Sequence, residues 1–235
     1  MGAILLKTQT GNTKLDAYRL ISFDKLTSTQ DLAHDLINRH EATNKMVIVA
    51  QTQTDGRGRY NRTWVSKPGN LYVSFVYKIL ERDPKLSYAV AVAVAETLSC
   101  FGLKPQIKWP NDVLIDGKKI SGILIEYSQN FVIVGIGINI KTCPGGLNYK
   151  TAKMQDCTDV SPQEVLGVLM KKLDKWRDTD FYVVRERWMD MAVGINENIT
   201  YQGKTAQLIG LNEQGALVLR RGTNYILTYG DEISI

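Results

Sequence analysis

Residues 106–140 read QIKWPNDVLIDGKKISGILIEYSQNFVIVGIGINI. Four apolar, β-branched runs stand out: Gln106–Trp109, Val113–Ile115, Lys119–Tyr127 and Phe131–Ile140. Asp116–Gly117 between the second and third is a hairpin signal, because both residue types tolerate the positive φ of a tight turn. Ser128–Asn130 makes the next turn. The stretch predicts an antiparallel meander. Gly122, Gly135 and Gly137 lie inside its strands. Glycine weakens a strand unless something must come close to the backbone, so one face of the meander is expected to receive a visitor.

Upstream, Met1–Asp16 lacks a sustained period and reads as irregular chain or a weak edge strand. Ala17–Phe23 reads as a strand. Thr27, three residues before Gln30, has capping-box spacing, and Leu32, Ala33, Leu36 and Ile37 follow at helical intervals. A helix is predicted over Ser28–Arg39. Met46–Ala50 and Leu71–Lys78 are strands, separated by the long polar stretch Gln51–Pro68. Asp83–Pro84 opens a helix whose apolar stripe runs from Leu86 to Leu98.

Downstream, Lys141–Thr158 is irregular. Ser161–Pro162–Gln163–Glu164 is a capping box leading a helix to about Trp176, and a further helix covers Thr179–Met191. After Gly194 five short strands are expected: Ile199–Gln202, Ala206–Leu211, Ala216–Arg220, Tyr225–Thr228 and Glu232–Ile235. They predict a small β-barrel. The chain is thus divided into residues 1–191 and a barrel over 192–235.

Composition removes several classes of protein. An apolar share of 44% with 23% charged residues is ordinary for a globular chain, and no run reaches the length of a membrane span. Residues 1–23 carry no secretory pattern, so the expected location is the cytoplasm. Three cysteines without a C-x-x-C pair, and two histidines six positions apart, argue against metal and Ser-His or Cys-His chemistry. The net charge of +5 is mild, and its densest part, around Arg57 and Arg59, is interleaved with glycine. That arrangement fits a small anion better than a nucleic acid polymer.

Five groups of residues can carry chemistry. Gln53–Thr54–Asp55–Gly56–Arg57–Gly58–Arg59, with Arg62 and Trp64, is either a solvated basic loop or an anion cradle. Glycine backbones can approach an anion, and arginine offers it a planar fork. Lys108–Trp109–Pro110–Asn111–Asp112 is a turn that also places a lysine and a carboxylate at a strand end. Lys119 precedes Gly122. The segment from Gly135 to Asn139 ends in an amide able to read an adenine edge. Ser28–Thr29–Gln30 is either a helix cap or a polar-ring contact.

Taken in order, these groups resemble the biotin–protein ligase family over about residues 18–140, and Gly215–Ala216–Leu217 is similar to a family hairpin. The resemblance implies an α+β fold: a mixed, mainly antiparallel sheet with helices on one side, like class II synthetases, plus a C-terminal SH3-like barrel. It implies a biotin site at Ser28, Thr29, Gln30, Gln53, Gly56, Arg57, Lys119, Gly122 and Leu124. It implies an ATP side at Arg59, Trp64, Lys108, Asn111, Asp112, Gly135 and Asn139. The family often has Asn where this chain has Gln30.

Arg57, Arg59 and Lys119 would be catalytic, with Arg57 orienting the biotin carboxylate, and Asp112 would help hold Mg²⁺. The expected partner is a biotin carboxyl carrier domain, such as that of an acetyl-CoA carboxylase. A homodimer is open. About sixteen residues before the first strand leave no room for an operator-binding module, so neither repression nor DNA binding is expected. The rivals are a lipoate ligase of the same fold and an RNA-binding module using the basic loop.

Overall fold

The computed structural model describes residues 18–229 and Ile233. The expected irregular start Met1–Asp16 lies outside them, as does the fifth C-terminal strand apart from Ile233. Four helices and eleven strands are present among the described residues. Seven strands form one sheet: β1 (Arg19–Leu26), β2 (Met46–Gln53), β3 (Leu71–Lys78), β4 (Pro105–Lys108), β5 (Asp112–Ile115), β6 (Lys118–Ser128) and β7 (Phe131–Ile138). Their spatial order is β1-β2-β3-β7-β6-β5-β4, with β1 and β2 parallel and every other pair antiparallel. The expected meander is the β4-β5-β6-β7 half, and Asp116 and Gly117 both take positive φ at its β5–β6 hairpin.

Alternation along the strands sorts their side chains to two faces. Val47, Val73, Phe75, Val134 and Ile136 join the large core with α2 (Leu86–Ser99), α3 (Pro162–Arg177) and α4 (Phe181–Met191). Met46, Ile48, Val76 and Ile133 instead meet Ala33 and Ile37 of α1 (Thr29–Asn38). Three helices therefore cover one face, while α1 stands on the other. That second face, only partly covered, holds the glycines of β6 and β7.

Local differences from the sequence reading have plain causes. Ser28, not Thr27, caps α1, its Oγ accepting from the Gln30 and Asp31 amides. The β1–β2 pairing runs on through Leu26 and Thr27, whose carbonyls accept from the Thr54 and Asp55 amides, so helical turns begin one residue later. The same pairing lengthens β2 to Gln53 and shortens the expected loop. Asp83–Pro84 forms a turn before the helix, and α2 begins at Leu86. α2 buries an unbroken run from Tyr88 to Ala95 rather than a stripe, because the sheet and helices α3 and α4 enclose it. The capping box at Ser161 and Glu164 forms as expected.

The four described C-terminal strands, β8 (Asn198–Tyr201), β9 (Lys204–Leu211), β10 (Leu217–Arg221) and β11 (Asn224–Thr228), make an antiparallel sheet in the order β11-β10-β9-β8. Their inner residues, Ile199, Leu208, Leu217 and Leu219, belong to the same core cluster as the large sheet. An aromatic group stands at the junction: Tyr88 lies 5.8 Å from Trp109 and 5.7 Å from Trp188, between ring centroids. The Tyr88 hydroxyl donates to Gly215 O, and Arg185 Nε donates to Leu211 O at 2.6 Å.

Glu96 ties the helical layer together. Its carboxylate accepts from Lys172 Nζ at 2.9 Å, Trp176 Nε1 at 3.1 Å and Arg187 Nε at 3.1 Å. Burial alone would raise its pKa, but these donors outweigh burial and hold the group below the usual carboxylate range. A depressed folded pKa gives stability that is present above the unfolded value and lost as pH falls through the folded one. Glu96→Gln is expected to cost about 2 kcal/mol at pH 7. The gap to wild type should close below about pH 4 in urea denaturation followed across pH.

Candidate functional site

On the α1 face, Gly122 of β6 and Gly137 of β7 are direct cross-strand partners, and Gly135 lies two residues along. With no Cβ at these positions the sheet has a flat floor. The indole of Trp64 lies on it: a Cβ at Gly137 would meet the ring at 2.5 Å and one at Gly122 at 2.8 Å. The glycines' expected visitor is thus, in part, this chain's own tryptophan. The indole Nε1 is buried without a protein hydrogen-bond partner. At Gly135 the visitor is Gln30, whose Oε1 would meet a Cβ at 2.7 Å.

Trp64 reaches the floor because Gly56–Trp64 is a small hairpin. Trp64 N donates to Gly56 O at 2.7 Å, Gly58 N donates to Arg62 O at 2.7 Å, and Arg57 bridges Thr63. Tyr60 and Asn61 turn its tip with positive φ. The stretch read as an open loop is therefore partly ordered. At its base Gln53 links three elements: Oε1 accepts from Thr29 N at 2.8 Å, and Nε2 donates to Ser66 Oγ at 2.9 Å.

Between the hairpin, the floor and the β4–β5 turn lies a cavity of about 320 Å³. Ser28, Thr29, Gln30, Gln53, Arg57, Arg59, Trp64, Lys108, Asn111, Asp112, Lys119, Gly122, Leu124 and Gly135 all line it. Among the described residues six cationic side chains line it, Arg57, Arg59, Arg62, Lys108, Lys119 and Lys150, together with one carboxylate, Asp112. Lys119 Nζ stands 2.7 Å from Asp112 Oδ1 and 5.3 Å from the Trp64 ring centroid.

Two expected site residues do not line this cavity. Gly56 is packed into the hairpin base, where a Cβ would meet Trp64 O at 2.4 Å. Asn139 is buried behind β6. Its Nδ2 donates to Ala152 O at 3.1 Å and its amide N to Ile120 O at 2.9 Å, which ties β7 to the segment after it. Asn139 instead lines a smaller recess beside the cavity, with Trp64, Lys119 and Tyr149, and its Oδ1 is buried without a protein hydrogen-bond partner.

Arg62, Tyr149 and Lys150 are among the lining residues not foreseen as ligand contacts. Arg62 was noticed only as part of the basic loop. Tyr149 and Lys150 come from the irregular segment, which is drawn in when Lys119 N donates to Lys150 O and Ala152 N donates to Lys119 O, both at 2.9 Å. Nothing in the local sequence signals that pairing. Gln30 and Arg57 line the cavity while bound to other protein groups: Gln30 Oε1 accepts from Ser74 Oγ at 2.8 Å, and Arg57 forms ion pairs with Asp31 and Glu126.

A flat floor with an aromatic cover and a cationic wall defines a site for a compact anionic ligand with a planar part. The Biotin/lipoate A/B protein ligase family model matches residues 22–142. The chain belongs to that family.

The bifunctional ligase/repressor BirA of Bacillus subtilis is 32% identical over 95% of this chain and 76% of its own length. The biotin–[acetyl-CoA-carboxylase] ligase of Paracoccus denitrificans is 31% identical over 74% of this chain and 83% of its own. A biotin protein ligase from Aquifex aeolicus, solved in complex with biotin and ATP, superposes with a TM-score of 0.79. It is 28% identical, covering 92% of this chain and 97% of that one.

The floor makes a direct prediction. Gly137→Ala should cost about 1–3 kcal/mol through overpacking against the indole. In a Trp64→Ala background the added methyl has room, and the cost should fall below about 0.5 kcal/mol. Chemical denaturation of the four proteins measures both.

Proposed function

We propose that this chain is an ATP-dependent biotin–protein ligase that forms biotinyl-5′-AMP and passes the biotinyl group to a lysine of a biotin carboxyl carrier domain. The observation that carries the reading is one cavity on which Arg59, Lys108 and Lys119 converge from three separate stretches of chain, beside the polar end formed by Ser28, Thr29 and Gln53.

In the first step the biotin carboxylate attacks the α-phosphorus of ATP, and pyrophosphate leaves. Both reactants are anions. At ~4 Å two unit charges repel by about 4 kcal/mol at an effective dielectric near 20. Lys119 serves the carboxylate and the α-phosphate, where charge accumulates. Arg59 and Lys108 serve the phosphates, and as guanidinium and ammonium they neutralise without competing as nucleophiles. Alignment of both reactants adds to this. Trp64, lying on the glycine floor, supplies an aromatic surface for a planar ring.

Among the described residues no three His, Cys, Asp or Glu side chains gather to hold a metal. Asp112, the one carboxylate among the described lining residues, fits a Mg²⁺ that arrives with ATP and takes its other ligands from phosphates and water. Bound there, Mg²⁺ would neutralise the departing pyrophosphate.

In the second step a carrier lysine attacks the acyl carbon of the mixed anhydride, an amide forms, AMP leaves and the amine gives up its proton. A second recess of about 260 Å³ offers that amine a route. It shares Arg59, Trp109, Pro110, Asn111 and Ile123 with the main cavity and opens past Pro84, Ser87 and Tyr229. Among the described residues its lining has no carboxylate to hold an ammonium, which favours the neutral, nucleophilic amine.

The polar set at Ser28, Thr29 and Gln53 favours a ureido ring over the apolar dithiolane of lipoate, and the Paracoccus denitrificans and Aquifex aeolicus relatives above are named as biotin ligases. Mixing the protein with biotin, ATP-Mg and a carrier domain should raise the carrier mass by one biotinyl group. No gain with biotin but a gain with lipoate would assign the other acid.

Lys119→Ala should cost ~2.7–4 kcal/mol of barrier in biotin-dependent pyrophosphate exchange. A rate within threefold of wild type would reject its role.

A further inference from the structure

Arg57 was expected to orient the substrate carboxylate, yet protein carboxylates surround it. Its Nε stands 2.8 Å from Asp31 Oδ1 on α1, and its Nη2 donates to Glu126 Oε2 on β6, also at 2.8 Å. The same Glu126 oxygen lies 3.1 Å from His34 Nε2, one helical turn along α1 from Asp31. Asp31, His34 and Glu126 are all absent from the cavity lining. The guanidinium and its two carboxylates together carry one net negative charge, a poor setting for a third carboxylate.

We propose that Arg57 is the pin that fixes the Gly56–Trp64 hairpin over the cavity, and that Glu126, Asp31 and His34 are the positioning residues that receive it. The hairpin is also held at its base, through the Gln53–Ser66 bond, and at its far strand, through Trp64 on Gly122 and Gly137. Arg57 is an attachment on its near strand, two residues before Arg59. With the near strand released, the hairpin can pivot on the indole and carry Arg59 off the phosphate side. His34 steadies Glu126 from the helix, so that one carboxylate joins α1, β6 and the hairpin. The guanidinium is thus spent on the protein, and the clamp sets how long Arg59 stays over a bound anion. The effect on the adenylate rests on the ligase reading; the clamp itself does not.

Limited trypsin digestion of the full chain without ligand, followed by mass spectrometry, tests the clamp. Glu126→Gln and Asp31→Asn should each speed cleavage after Arg59 and Arg62 about fivefold, with cleavage after Lys204 unchanged as the control for general loosening. Arg57→Ala should do the same, and Glu126→Gln should add nothing in that background. Unchanged cleavage in both carboxylate variants, or a full additional effect in the Arg57→Ala background, overturns the clamp.

Calorimetry and adenylate retention give the second reading. The clamp expects Glu126→Gln to weaken biotin binding and to raise the rate of biotinyl-adenylate loss, each about fivefold. If Arg57 were the substrate's own carboxylate ligand, releasing it from Glu126 would tighten biotin binding, and that result overturns the proposal. Should wild type form no biotinyl-adenylate at all, the function proposed above fails, while the digestion still reports on the clamp.

Discussion

Everything at the site depends on a patch of sheet that carries no side chains. Gly122 and Gly137 face each other across β6 and β7, and Gly135 extends the gap toward α1. A methyl at either of the paired positions would occupy the space of the Trp64 ring. Because the floor is flat, the indole can lie on it, and because the indole lies there, the arginine hairpin is brought over the sheet. The cavity, its cationic wall and its cover follow from that contact. The cost is borne by strand stability, since glycine gives up β propensity and side-chain packing. The opposite face, filled by Val134, Ile136 and Ile138 in one core with α2, offsets it.

The second organising feature is how charge is distributed. Among the described residues five cations besides Arg57 line a small cavity with one carboxylate among them, so an anion entering it meets a field already assembled. The carboxylates nearby are used selectively. Asp112 holds Lys119, which keeps an ammonium oriented at the end of β5, while Asp31 and Glu126 hold Arg57 outside the reacting space. Pairs of this kind, part-exposed, contribute little to overall stability. Their consequence is geometric, in that they decide which cations face the ligand and which fasten the hairpin.

The C-terminal sheet bears on the site through packing. Tyr88, Trp109 and Trp188 form a ring cluster behind the β4–β5 turn, and the Tyr88 hydroxyl bonds to Gly215. Burial pushes the Tyr88 hydroxyl pKa up, with Tyr229 adding to the effect, so it remains a donor. The turn that presents Lys108, Asn111 and Asp112 is thereby backed by the second sheet and by α4. This places the second recess at the meeting of both sheets.

The sequence by itself determined the local elements and most of the residue types at the site. Period-two runs ended by Asp116–Gly117, and the capping box at Ser161, depend on neighbours only a few residues away, so the β4–β7 meander and α3 were legible. So was the meaning of glycines inside strands. What only the tertiary structure decided involves distant pairing. Thr27 lost the cap of α1 because parallel pairing with the end of β2 claimed its carbonyl. Asn139 was drawn behind β6 and Tyr149 was drawn into the cavity by the pairing of Lys119 with residues 150–152, thirty positions on. Arg57 was recognisable as an anion ligand, but which anion it meets depended on Asp31 and Glu126, brought to it by α1 and β6 from 26 and 69 positions away. Short-range chemistry names the groups, and only the folded sheet decides which of them face one another.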